Sequence, residues 1–162
     1  MFDMRKDEYS TLLLSIIICQ AAGIVGQIFT SSSLSDWYPT LVKPSFTPPG
    51  WLIGLIWIVL FTLMGLSLFL VWRESPKNLE VKHALYFFAA QLLVNILWSA
   101  AFFGLRSPQA GMIVIIILLL LILATIIKFW PISKEAALFM VPYVIWVSFA
   151  AYLNYIIFKL NP

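Results

Sequence analysis

Apolar residues run along this chain in five long blocks: Leu12 to Thr30, Trp51 to Trp72, His83 to Phe103, Gly111 to Trp130 and Glu135 to Phe158. Each block holds about 20 residues, which at about 1.5 Å of rise per residue crosses a hydrocarbon layer of about 30 Å. A barrel strand would instead alternate over short segments, whereas IVIIILLLLILATII is apolar at every position but Thr125. The pattern predicts an all-α integral membrane protein: one bundle of five transmembrane helices over residues 1–162, with a loop at 31–50 between the first two. No convincing small-x-small cleavage pattern follows the first run, so it is expected to stay as a span.

Composition adds one exclusion. With 62% hydrophobic and 10% charged residues and a mean hydropathy of +0.99, little is left from which to build a soluble domain. Cys19 is the only cysteine, so no disulfide forms within the chain. The formal charge of +3 is read as topology, not as a sign of a nucleic-acid partner. Arg5, Lys6, Arg73, Lys77, Lys82, Lys128 and Lys134 fall on one side of a five-span bundle, and Lys43, Arg106 and Lys159 on the other. That excess predicts a cytoplasmic N-terminus, with the first loop and the C-terminus external.

The polar residues inside the spans are placed in rows. Span one carries Gln20, Gly23 and Gln27; span two Gly50, Gly54, Trp57 and Phe61; span three Gln91, Asn95 and Trp98; span five Tyr143, Trp146, Ala150 and Asn154. Spacings of three and four put each set on one helical face. Amides and small residues on such faces ordinarily serve as interhelical glue and close packing. Large indoles at similar depth on the same faces change the reading, because Trp57, Trp98 and Trp146 lie well inside spans, away from the interfacial belt that Trp37, Trp51, Trp72 and Trp130 fit. Together the faces predict a cavity for a flat apolar ligand with a few fixed polar contacts.

Above that depth lies WYPTLVKPSFTPPGW, residues 37–51, with four of the nine prolines. Pro39, Pro44, Pro48 and Pro49 fix φ and reduce the loop's freedom, as a cover over a site requires. Span four, with Thr125 as its one internal hydroxyl, is expected to pack by shape and to face lipid.

Other chemistries find no residues. No acidic side chain lies in the interior of a span, which disfavours proton-coupled transport. His83, the one histidine, sits at a span end beside Lys82, a headgroup-level position that offers neither a metal site nor a haem ligand. No nucleophile and base pair, phosphate cradle or metal cluster is present, so no cofactor, metal or conventional catalytic residue is expected.

Three stretches, WYPTLVKPSFTPPGW, NILWSAAFFG at 95–104 and PYVIWVSFAAYLN at 142–154, resemble the tryptophan-rich sensory protein/translocator protein family, also called peripheral-type benzodiazepine receptors. The likeness covers nearly the whole chain. It implies a five-helix membrane protein, commonly a homodimer, in a bacterial cell membrane, binding porphyrins such as protoporphyrin IX and benzodiazepine or isoquinoline-type ligands under the first loop. Carried over by motif, Trp37, Tyr38 and Pro48 would close the lid; Trp57, Phe61, Asn95, Trp98, Trp146 and Ala150 would line the pocket, with Gln91 and Tyr143 on the same helical faces. The resemblance also leaves open transport of tetrapyrroles and a light-dependent porphyrin degradation through Trp57 and Trp146. Phe46 stands where many members have tryptophan, which keeps an aromatic ring and loses an N–H donor. For the dimer face, Ala22 and Gly26, Gly50 and Gly54, and Ala100 and Gly104 are the small-residue pairs.

Overall fold

A computed structural model describes residues 6–74 and 78–162. Arg5 and Lys77, counted in the charge asymmetry, lie outside the described residues. The helices are α1 (Lys6–Leu34), α2 (Gly50–Trp72), α3 (Leu79–Ser99), α4 (Pro108–Phe129), a short α5 (Lys134–Phe139) and α6 (Val141–Leu160). A π-helical turn, Ala100–Gly104, continues α3, and a 3-10 turn, Tyr38–Thr40, lies in the first loop. Five helical segments, counting α5 and α6 together, are long and apolar enough to span a bilayer, and no strand occurs among the described residues. The protein is an all-α integral membrane protein. Its outer surface is correspondingly rich in exposed Leu, Ile and Val, a liability in water and the expected face toward lipid.

Local chemistry sets the helix ends. Asn78 Oδ1 accepts the Glu80 N–H to start α3, and Ser107 Oγ accepts the Ala110 N–H to start α4, with Pro108 at its first position. α1 runs to Leu34, beyond the expected end at Thr30, with hydroxyls turned back onto the helix: Ser31 donates to the Ile28 carbonyl and Ser32 to that of Phe29. The last span is not one rod. Pro142 has no N–H to give the preceding turn, and the chain breaks at Met140 between α5 and α6.

Packing is solid at one end and hollow at the other. Away from the first loop, Met64, Leu68, Phe88, Leu118, Ile122, Phe129 and Met140 are buried in one core, with the Phe88 and Phe129 rings stacked at 5.8 Å. The α1 and α2 backbones nearly touch there: a Cβ on Gly65 would lie 2.7 Å from Ile16 Cα. Ser67 ties α2 to α5 by donating to the Ala136 carbonyl. α4 uses a buried stripe of Ile115, Leu118, Ile122 and Thr125, whose hydroxyl returns to the Leu121 carbonyl, and it contributes no lining to the cavity between the other spans.

Candidate functional site

Toward the first loop the helices separate around a cavity of about 500 Å³, within the size range of small-ligand sites. α1 contributes Gln20, Gly23 and Gln27; α2 contributes Gly54, Trp57 and Phe61; α3 contributes Asn95 and Trp98; α6 contributes Trp146, Ala150 and Asn154; Tyr38 and Pro48 come from the loop above. Three indoles from three helices thus border one space. None of the side chains bordering it carries a formal charge.

The polar groups around this space are mostly committed. Trp98 Nε1 donates to Asn154 Oδ1 at 3.3 Å, and Asn154 Nδ2 donates to the Pro108 carbonyl at 2.7 Å, so one amide links α3, α6 and the start of α4. Gly111 makes room for it, since a Cβ there would sit 2.8 Å from Asn154 Oδ1. Asn95 Nδ2 donates to Tyr143 Oη at 2.8 Å. Gln20 Nε2 donates to the Ile58 carbonyl and to Thr62 Oγ1, each at 3.0 Å. Trp146 Nε1 is buried and meets no acceptor among the described residues.

Eight of the residues expected at the site border the cavity: Tyr38, Pro48, Trp57, Phe61, Asn95, Trp98, Trp146 and Ala150. Three do not. Gln91 lies one turn along α3 from Asn95, away from the loop, fully buried, with both amide atoms lacking a partner among the described residues. Tyr143 is also fully buried and stands behind the wall, holding Asn95 and meeting the Trp57 ring edge-on at 6.2 Å. Trp37 turns its ring onto Phe102 at 5.7 Å and belongs to the roof's support.

Phe102 and Phe103 were not anticipated. The π-helical turn aims both at the site, with Leu105 N–H reaching the Ala100 carbonyl and Ser107 N–H that of Phe102. Phe102 stacks on Trp98 at 5.8 Å and Phe103 supports Tyr38 at 5.6 Å. Consecutive aromatics at a span end were a visible signal, but the register that a π turn imposes was not.

The loop closes the top and is fastened at several points. Val42 N–H donates to Asn161 Oδ1, and Asn161 Nδ2 donates back to the Val42 carbonyl, both at 3.0 Å. Arg106 pairs with Asp36 at 2.6 Å. Lys43 Nζ donates to the carbonyls of Tyr38 and Leu41 and lies 4.6 Å from the centre of the Tyr38 ring. Phe46, outside the cavity, stacks on Tyr152 at 6.0 Å. Burial pushes the Tyr38 hydroxyl above the ordinary tyrosine range.

The small-residue pairs are mostly used within the chain. Ala22 is buried, and a Cβ on Gly26 would meet Ser99 Oγ at 3.2 Å; one on Gly104 would meet Phe29 at 3.3 Å. Gly50 and Gly54 have nothing within 4 Å of such an atom. They keep space open at the cavity.

The TspO/MBR family profile matches residues 15–160. The chain is 47% identical over 152 residues to a tryptophan-rich protein TspO of Chlorobaculum tepidum, covering 94% of this chain and 96% of that one. It is 41% identical over 150 residues to a tryptophan-rich protein TspO of Archaeoglobus fulgidus, covering 93% and 96%. The human translocator protein is 33% identical over 140 residues, covering 85% and 82%.

Proposed function

Because the chain belongs to the TspO/MBR family, we propose that it is a membrane receptor or sensor that takes porphyrins and benzodiazepine or isoquinoline-type ligands into the chamber beneath its first loop. One observation carries the reading: Trp57, Trp98 and Trp146, from three helices, border a single uncharged cavity. A flat conjugated ring system stacks on Trp57 and Trp146, while Asn95 Oδ1, left free by the Nδ2 bond to Tyr143, offers an acceptor to its polar edge. With no cation on the chamber wall, the carboxylates of a porphyrin stay at the mouth, near Lys43. In this reading the lid is external, supported by Lys82, Lys128 and Lys134 gathering at the opposite ends of the spans.

Titration of the purified protein with protoporphyrin IX, in the dark and under illumination, tests this through the shift of the porphyrin absorption band. Saturable binding of about one porphyrin per chain is expected. Trp57→Ala and Trp146→Ala should each weaken it about tenfold, a loss of about 1.4 kcal/mol, and Trp130→Ala, remote from the chamber, should not. Unsaturable binding, or affinity indifferent to both chamber substitutions, overturns the reading.

A further inference from the structure

The roof is tied down and one side wall is not. α1 and α2 are antiparallel, in contact where Gly65 meets Ile16 and where Gly23 meets the Phe61 ring, with Gln20 strapped to Ile58 and Thr62 between those points. Toward the lid they diverge: Gly54 and Gly50 have no neighbour within 4 Å of a Cβ position. Ile24 and Ile58 border the chamber yet are 66% and 58% exposed. A residue that does both stands at an opening. Ile58 is about 12 Å along α2 from its lid end, at 1.5 Å per residue, so this opening lies at hydrocarbon depth.

We propose that ligands reach the chamber sideways, from the hydrocarbon layer through the gap between α1 and α2, under a roof that stays shut. The proposal rests on the ligand-binding reading above. Its physical basis is a comparison of the two routes. Lifting the roof breaks the Asn161–Val42 pair, the Asp36–Arg106 pair and the Phe46–Tyr152 stack together. Passing between helices breaks no backbone hydrogen bond, because each helix satisfies its own. Flat apolar molecules are also concentrated in the bilayer, where this opening faces, and the gap's uncharged walls of Ile24, Gln27, Gly54 and Ile58 impose no ion to desolvate.

The test uses the full chain in lipid nanodiscs with protoporphyrin IX, followed by stopped-flow fluorescence. In a Val42→Cys/Asn161→Cys variant the roof is locked by a disulfide, or by a short bismaleimide where the disulfide does not close; Cys19 is fully buried and does not compete. The locked protein should associate with porphyrin within about twofold of its reduced form. Gly54→Leu, which puts a side chain into the gap, should slow association and dissociation together by tenfold or more. Slower dissociation separates a blocked passage from a spoiled fit, which would speed it.

A second measurement needs no porphyrin. A bilayer-soluble maleimide should alkylate Ala150→Cys inside the chamber, about tenfold more slowly when Gly54→Leu is added and no faster when Asn161→Ala loosens the roof. Association abolished by the lock, or alkylation governed by Asn161→Ala and indifferent to Gly54→Leu, overturns the side passage. Failure of the unmodified protein to bind porphyrin overturns the ligand reading instead, and the alkylation rates still decide the route.

Discussion

Asn161 and Val42, 119 residues apart, exchange two hydrogen bonds through one side-chain amide, so the end of α6 holds the lid the way a neighbouring strand would. Asn161 Nδ2 also donates to the Ile157 carbonyl at 2.8 Å, which fixes the amide's orientation. Asn161→Ala should therefore free the Val42 amide without unfolding the bundle. Exchange with deuterium at Val42, read by mass spectrometry, should quicken about three- to tenfold, the worth of one such bond. Unchanged exchange would mean that the lid is held elsewhere.

The glycines of α2 make opposite predictions. A methyl at Gly65 collides with the Ile16 backbone, which no rotamer change relieves, so Gly65→Ala should cost about 1–3 kcal/mol by wedging α1 from α2. A methyl at Gly54 meets nothing, and the gain in helix propensity, up to about 1 kcal/mol, should leave Gly54→Ala as stable as the parent or more so. Thermal unfolding in detergent ranks the two. Equal effects would refute the divergence of the helices.

Much of this was legible because a bilayer leaves few solutions: 20 apolar residues in a row must be a helix, and rows at intervals of three and four must share a face. The indoles of Trp57, Trp98 and Trp146 met at one chamber for that reason. What escaped the sequence was local geometry. Ser31 and Ser32 look like loop residues until their hydroxyls fold back onto carbonyls. Gln91 lies on the same face as Asn95 but one turn too far from the lid, since periodicity gives direction and not depth. Phe102 and Phe103 depend on a π turn that changes the register, and Trp37 on which side of the lid faces down.

Asn95 and Tyr143 form the most deeply placed polar pair at the chamber. Tyr143→Phe leaves the Asn95 amide donor without its partner, and Asn95→Ala does the same to the phenol. A double-mutant cycle should return a favourable coupling of about 1 kcal/mol, near the upper part of the range for hydrogen bonds in membrane bundles. Because the pair orients Asn95 toward the chamber, Tyr143→Phe should also weaken porphyrin binding although Tyr143 does not border the cavity. Loss of stability with unchanged binding would assign the pair to packing alone.

Asp36 gives the lid a response to acid. Its carboxylate accepts the Trp37 N–H at 2.7 Å, the main cause of a pKa below the ordinary aspartate value, and pairs with Arg106 as a further cause. A depressed carboxylate contributes stability above its unfolded pKa of about 4, and that contribution is lost as pH falls through the lower folded value. Exchange protection at the Trp37 amide should therefore survive through pH 4 and fail only in stronger acid. Asp36→Asn keeps an acceptor and should flatten the response; an unaltered pH profile would place the sensitivity elsewhere.

Arg106 holds its ion pair from a backbone conformation that suits glycine, with φ of 52° just after the π turn. The left-handed region costs a side-chain-bearing residue about 1–2 kcal/mol, and glycine adopts it freely. Two substitutions separate the contributions, since both remove the guanidinium and only one relieves the backbone. Arg106→Gly should be more stable than Arg106→Ala by about 1 kcal/mol in thermal unfolding, while both loosen Asp36 to the same degree in the exchange measurement. If alanine proves as stable as glycine, the turn is not strained at this position, and the ion pair is the whole of what Arg106 contributes.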